Sequence, residues 1–226
     1  MSHSKNKNFL WKYFERLGTQ LIQFFLQLLL ARILLPEDYG LVAIVSIFIL
    51  FAEVIVQSGL GAAIIQKKEI DNIDLSTVFW FSFIVSLLLY VLIYITSDWI
   101  AVFFKEELLS IILKVLSIKL VIGTYNSIQN TIIAKKLMFK INFYTSIIAT
   151  CISGIIALYM ALKGFGVWSL VIFQVIYQLI LAISLFLNLK CIPKFIFSFK
   201  RFNELYRYGF GILVANMLSI FSEQRY

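Results

Sequence analysis

"ARILLPEDYGLVAIV", Ala31–Val45, sets a proline and two adjacent acids between two apolar runs. One apolar run ends at Leu35 and the next begins at Leu41, with Pro36, Glu37, Asp38 and Gly40 between them. Pro36 has no N–H and stops a helix, while the two acids and the glycine suit a turn or a helix start in water. The stretch reads as a tight hairpin that surfaces between two membrane crossings.

Composition carries this reading to the whole chain. Apolar residues make up 61% of the 226 positions and charged residues 14%, with a mean hydropathy of +0.92. A soluble domain of this length has no use for so much apolar surface, so the class is membrane protein. Lys and Arg number 20 against 12 acids, a formal charge of +8. In a membrane chain that excess reports on topology rather than on nucleic acid, which is not expected as a partner. The single histidine, His3, lies in a polar tail, and the two cysteines, Cys151 and Cys191, suggest neither a disulfide framework nor a metal site. The first apolar segment is long and lacks a clear cleavage site, so it reads as an uncleaved span.

A helix needs ~20 mostly apolar residues to cross ~30 Å of hydrocarbon. Six segments qualify: about Tyr13–Leu35, Gly40–Leu60, Leu75–Ile95, Leu108–Ile133, Ile141–Leu162 and Val167–Leu189. A seventh begins near Leu205 and is still apolar at Phe221. Both prolines, Pro36 and Pro193, fall in loops, so the spans are expected to be unbroken apart from a bend at Gly59–Gly61. One set of loops holds Lys5, Lys7, Lys12, Lys67, Lys68, Lys135, Lys136, Lys140, Lys190, Lys194, Lys200, Arg201 and Arg207; the other holds only Arg32, Lys105 and Lys163. The positive-inside rule then places the N-terminus in the cytoplasm. "PEDYG", "SDWIAVFFKEE" and "LKGFGVW" become external turns. Trp11, Trp80, Trp99 and Trp168 fall near span ends, where amphipathic rings favour the interface.

Polar residues inside spans need partners or water, so their placement carries information. Lys12, Arg16, Gln20, Gln23 and Gln27 fall in one narrow stripe of the first span at helical spacing. Ser46, Glu53 and Gln57 share a face of the second, with Glu53 level with Gln20 and one turn from Arg16. An Arg16–Glu53 pair, or a shared wet cavity, is the expectation. Lys119, Asn126 and Asn130 share a face of the fourth span, with Lys119 near the midplane. The candidate substrate cavity is therefore Arg16, Gln20, Gln23, Gln27, Glu53, Lys119, Asn126 and Asn130. Hydrogen bonding between helices is the competing role for the glutamines and asparagines. Ser146, Ala149, Ser153 and Ala157 form a small-residue packing face, and Gln174 and Gln178 lie one turn apart in the sixth span. No catalytic motif, metal-ligand cluster or cofactor-binding loop emerges, so neither an enzyme nor a cofactor is expected.

"LLARILLPEDYGLVAIVSIFILFAE" followed by "SGLGAAIIQKKE" resembles the polysaccharide-unit (O-antigen type) flippase family of the MOP exporter superfamily. "LSTVFWFSFIVSLLLY", "LVIGTYNSIQNTIIAKKLMFK" and "ALKGFGVWSLVIFQ" are similar to its later span signatures, in order. Leu35 departs from the family's usual glycine. The resemblance covers about Phe9–Phe221, and such proteins usually have two six-helix lobes. It implies an all-α integral membrane fold: a six-helix N-terminal lobe over residues 1–204 plus the start of a seventh helix over 205–226. It implies a lipid-linked oligosaccharide carried on undecaprenyl diphosphate as substrate, membrane lipids and a missing C-terminal lobe as partners, and a multi-pass place in the bacterial inner membrane. A MATE-like cation-coupled exporter and a nonfunctional truncated remnant are the alternatives.

Overall fold

A computed structural model describes residues 2–57, 59–67, 70–190, 193–207, 209 and 211, with side chains from Leu17 onward. All regular structure among these residues is helical. The elements are α1 (Ser2–Ala31), α2 (Pro36–Gln57), α3 (Leu60–Gln66), α4 (Asn72–Phe104), α5 (Glu107–Leu116), α6 (Ile118–Lys136), α7 (Phe139–Leu162) and α8 (Trp168–Leu189). A further helical stretch covers 199–207. Five segments are long and apolar enough to cross a membrane, counting α2–α3 and α5–α6 as continuous rods. The described apolar part of α1 is Leu17–Ala31. Of the expected seventh span, residues 212–226 lie outside the described residues.

The hairpin forms for local reasons. Pro36 is the first residue of α2, where its missing N–H costs nothing. Glu37 and Asp38 stand in the first turn, where the helix dipole favours negative charge. Asp38 Oδ2 accepts the Leu35 N–H at 3.1 Å, tying the turn back on itself. Asp38 also packs against Gly166, where an added Cβ would stand 3.2 Å from Asp38 Oδ1 and φ is +53°. The "PEDYG" and "LKGFGVW" turns thus meet at one end of the bundle, called here the Pro36 end.

Packing follows the alternation of the chain. α7 lies between α1 and α8, α6 packs on α4 and α8, and α4 also contacts α2 and α5. Gly18 of α1 faces Phe143 and Ile147 of α7, and Leu26 faces Gly154, so these two helices run parallel. Small residues make the close approach possible: Ala149, Ser153 and Ala157 are wholly buried, and Ser146 nearly so. Ser153 donates to the Ala149 carbonyl at 2.6 Å, which satisfies its hydroxyl within the helix. The main apolar core joins Val45, Ile49 and Ala52 of α2 to Leu109, Ile112, Leu113 and Leu116 of α5 and Val171 of α8. Outside, large apolar side chains such as Phe25, Leu88, Ile155 and Leu187 are exposed, the surface a lipid solvent requires.

One of the expected rods is interrupted. The bend expected near Gly59 is present: Gly59 has φ +68°, and a Cβ there would meet the Gly209 carbonyl oxygen. The fourth span continues through Ser117, where the backbone stays right-handed (φ −65°, ψ −18°) and the hydroxyl donates to the Lys114 carbonyl at 3.0 Å. α4 is also longer than its expected span, running 33 residues to Phe104. "SDWIAVFF" is helix rather than turn. Ser97 donates to the Tyr94 carbonyl at 2.8 Å, and Asp98 accepts from Ser110 and from Lys114 (2.8 Å), so the polar groups are served without leaving the helix.

The opposite, lysine-rich end is closed by a polar cluster. Asp74, wholly buried, accepts from Lys67 Nζ at 2.8 Å and from the Asp71 N–H at 3.2 Å. Arg201 approaches Asp71 at 3.4 Å and Asp74 at 3.8 Å. The segment after α8 docks here as well. Trp80 Nε1 donates to the Lys194 carbonyl at 2.8 Å and its ring stacks on Phe195 at 4.7 Å. The Lys194 and Ser198 N–H groups donate to Ser76 and Thr77 hydroxyls at 3.0 and 3.2 Å. Lys135 Nζ caps the end of α3 through the Ile65 carbonyl at 2.8 Å and the Lys67 carbonyl. The two loop sets separated by charge therefore occupy opposite ends of the bundle.

Candidate functional site

Three helices that run in the same direction enclose the site: α2 with α3, α6, and α8. Their register follows from matched contacts, Glu53 with Lys119 and Gly61 with Thr131 on one side, Lys119 with Gln174 and Asn126 with Gln178 on the other. Between them lies a cavity of about 550 Å³. Its wall carries Glu53 and Gln57 from α2, Lys119, Asn126, Ser127, Asn130 and Thr131 from α6, and Tyr177 and Gln178 from α8. It extends from the level of Glu53 toward Ile65 and Ala134 at the lysine-rich end.

Lys119 is the charged centre. It stands twelve residues past Glu107, about 18 Å along the rod at 1.5 Å per residue. Its Nζ lies 3.2 Å from Glu53 Oε1 and donates to Gln174 Oε1 at 3.1 Å. The Lys119 side chain is 14% exposed and the Glu53 side chain 29%, so the pair borders open space rather than being sealed in the core. A charge at such depth is expensive, and pairing together with a neutral oxygen ligand offsets that cost.

The asparagines of α6 have a defined polarity. Asn126 Nδ2 donates to the Gln178 backbone carbonyl at 3.1 Å and to Gln178 Oε1 at 2.6 Å. A backbone carbonyl can only accept, so the amide orientation is fixed and Oδ1 must point the other way. That oxygen, and Asn130 Oδ1 one turn on, are buried and accept no hydrogen bond from a protein donor. A buried acceptor left unmatched costs ~1–3 kcal/mol, so each of these oxygens calls for a donor that the described residues do not supply. Gln178, already accepting through Oε1, has its amide nitrogen left to donate.

The sequence-derived candidates divide into two groups. Glu53, Lys119, Asn126 and Asn130 converge on the cavity. Gln20, Gln23 and Gln27 do not line it; Gln20 and Gln27 are exposed and Gln23 is half-buried. The Arg16 side chain lies outside the described residues. Glu53 meets Lys119, and the expected Arg16–Glu53 pair lies outside the described residues. α1 packs along α7, and the inner face of α2 meets α6. Gln57, Gln174 and Gln178 share the site, as their helical spacing from Glu53 and from one another hints. Ser127, Thr131 and Tyr177 carried no comparable signal, because small hydroxyls and a tyrosine are ordinary in a span.

A second, smaller hollow of about 220 Å³ lies toward the Pro36 end, lined by Ser46, Ile47, Leu50, Glu53 and Lys119.

Comparison with known proteins places these features in a wider set. A family profile described as polysaccharide biosynthesis protein matches residues 29–226. The succinoglycan biosynthesis transport protein ExoT of Rhizobium meliloti (strain 1021) is 25% identical over 216 residues, covering 94% of this chain and 44% of that protein. The teichuronic acid biosynthesis protein TuaB of Bacillus subtilis (strain 168) is 27% identical over 165 residues, 70% of this chain and 33% of its own length. The lipopolysaccharide biosynthesis protein WzxC of Escherichia coli (strain K12) is 27% identical over 111 residues, 49% of this chain and 23% of its own. The chain thus spans less than half the length of these curated relatives. No solved structure matches it.

Proposed function

The chain belongs to the polysaccharide biosynthesis protein family, and from that premise we propose that it forms one lobe of a transporter that flips undecaprenyl-diphosphate-linked oligosaccharide units across the bacterial inner membrane. It is a multi-pass helical membrane protein whose relatives include a polysaccharide transport protein. The physical problem is to carry a polar sugar head through hydrocarbon while its polyprenyl tail stays in lipid. Fixed hydrogen-bond groups and water must replace the hydration of the head.

The carrying observation is the cavity between apolar helices, with Lys119 at its deep end and the amide side chains of Gln57, Asn126, Asn130 and Gln178 in its wall. Lys119 suits the charge of a diphosphate, and the Asn126 and Asn130 oxygens suit sugar hydroxyls, which donate. Relatives more than twice as long support a second lobe, which would close the other side of the cleft for alternating access. Residues 1–204 would be the first lobe and 205–226 the entry into the second. The lysine-rich end supports a cytoplasmic N-terminus, because the cations gathered there would be retained inside.

The test is complementation of a flippase-null strain by a full-length transporter carrying this lobe. Wild type should relieve the accumulation of lipid-linked units on the inner leaflet. The Lys119→Ala, Asn126→Ala double variant should not, at equal membrane abundance. Full rescue by that variant would remove the site assignment.

A further inference from the structure

Among the described residues, Glu53 and Lys119 are the two that line both hollows. The larger is lined onward toward the lysine-rich end and the smaller toward the Pro36 end, so this ion pair stands as the sill between them. We infer that Glu53 is an internal stand-in for the cargo's anion, and that a diphosphate group binding at Lys119 displaces it and lowers the sill. The inference rests on the reading of Lys119 given above and goes further by assigning Glu53 a competing role.

Three observations carry it. First, the pair is loose enough to exchange: it is a single contact at 3.2 Å, and both side chains are partly open to the cavities. Second, Lys119 does not depend on Glu53 for its position. Gln174 Oε1, a neutral ligand from a third helix, accepts from the ammonium at 3.1 Å and holds it when the carboxylate leaves. Third, Glu53 has somewhere to go. The smaller hollow beside it holds Ser46, whose hydroxyl is a donor for a displaced carboxylate. A phosphoryl group carries more charge and more acceptor oxygens than a carboxylate, so it competes well for one ammonium. Once it is seated, repulsion drives the carboxylate toward Ser46 and the barrier between the hollows opens. With no cargo bound, the pair is neutral and the sill stays closed.

The idea predicts an unusual sign. Removing an acidic partner normally weakens a site; here it should strengthen one. The probe is inorganic pyrophosphate, titrated by calorimetry into the full-length transporter in lipid nanodiscs. Glu53→Gln should tighten binding by roughly tenfold, because a carboxylate at ion-pair distance no longer competes for the ammonium. Lys119→Gln should weaken it below detection, and Glu53→Asp should fall between wild type and Glu53→Gln. If Lys119→Gln abolishes binding while Glu53→Gln and Glu53→Asp leave it equal or weaker, the stand-in role is overturned and the anion site at Lys119 survives. If wild type and all three variants bind alike, or none binds, both readings are overturned. Should Glu53→Gln lower thermal stability, the Glu53→Gln, Lys119→Gln pair serves as control. It restores charge balance and should recover the fold without recovering binding.

Discussion

Asp74→Asn removes one charge from the lysine-rich end and keeps the shape of the side chain. In the native arrangement this wholly buried carboxylate takes Lys67 at 2.8 Å, the Asp71 N–H at 3.2 Å and Arg201 at 3.8 Å. The amide can still accept from Asp71, so the loss falls on the two cations. Breaking a fully buried pair costs ~3–5 kcal/mol, but Lys67 is 26% exposed and Arg201 36%, and water recovers part of it. Of the two cations only Arg201 belongs to the segment after α8, and its contact is long and part-exposed, so about 1 kcal/mol falls on docking, roughly fivefold in the population of the undocked segment. Trypsin reads that population directly when cleavage is slow relative to reclosing. Cleavage after Lys194, Lys200 and Arg201 should therefore accelerate by roughly that factor in mild detergent. The acceleration should be absent for Lys114→Ala, which breaks an ion pair to Asp98 at the other end of the bundle. A rate within about twofold of wild type, or equal acceleration by both variants, would refute the docking argument.

Gly59→Ala should destabilise the fold by several kcal/mol and lower expression, since left-handed backbone already costs a non-glycine residue ~1–2 kcal/mol before the Cβ meets the Gly209 carbonyl oxygen; thermal melting in detergent checks it. Asn126→Leu should cut flipping strongly while costing about 1 kcal/mol of stability, whereas Gln27→Leu on exposed α1 should leave flipping within about twofold of wild type. Initial rates with lipid-linked substrate in proteoliposomes separate the two. Cysteines at Glu37 and Lys136 should label from opposite sides of the membrane with an impermeant maleimide, and labelling of both from one side would break the topology.

Much of this arrangement was readable from the chain because membrane spans have few solutions. A run of apolar residues must form a helix, and a charge at depth must face protein or water. Glu53, Lys119, Asn126 and Asn130 were legible on those grounds. Periodicity gives the face of a helix but not the neighbour that meets it. The glutamines of α1 share a stripe as tidy as that of α6, yet the fit of Gly18 and Gly154 commits α1 to α7 and leaves Gln20 and Gln27 exposed. Ser97 and Asp98 read as a turn because their polarity suggested water. Their partners are the Tyr94 carbonyl and two residues of α5, contacts that no local pattern encodes.

The docking of Lys194, Phe195 and Ser198 onto α4 also fixes where motion can occur. A strap bound at that many points travels with the bundle as cargo travels on a lorry. Phe202, Leu205 and Tyr206 pack into the same core and Gly209 lies against Gly59, so any pivot falls beyond Gly209. The docked stretch would then hand the tilt of this bundle onward without slack.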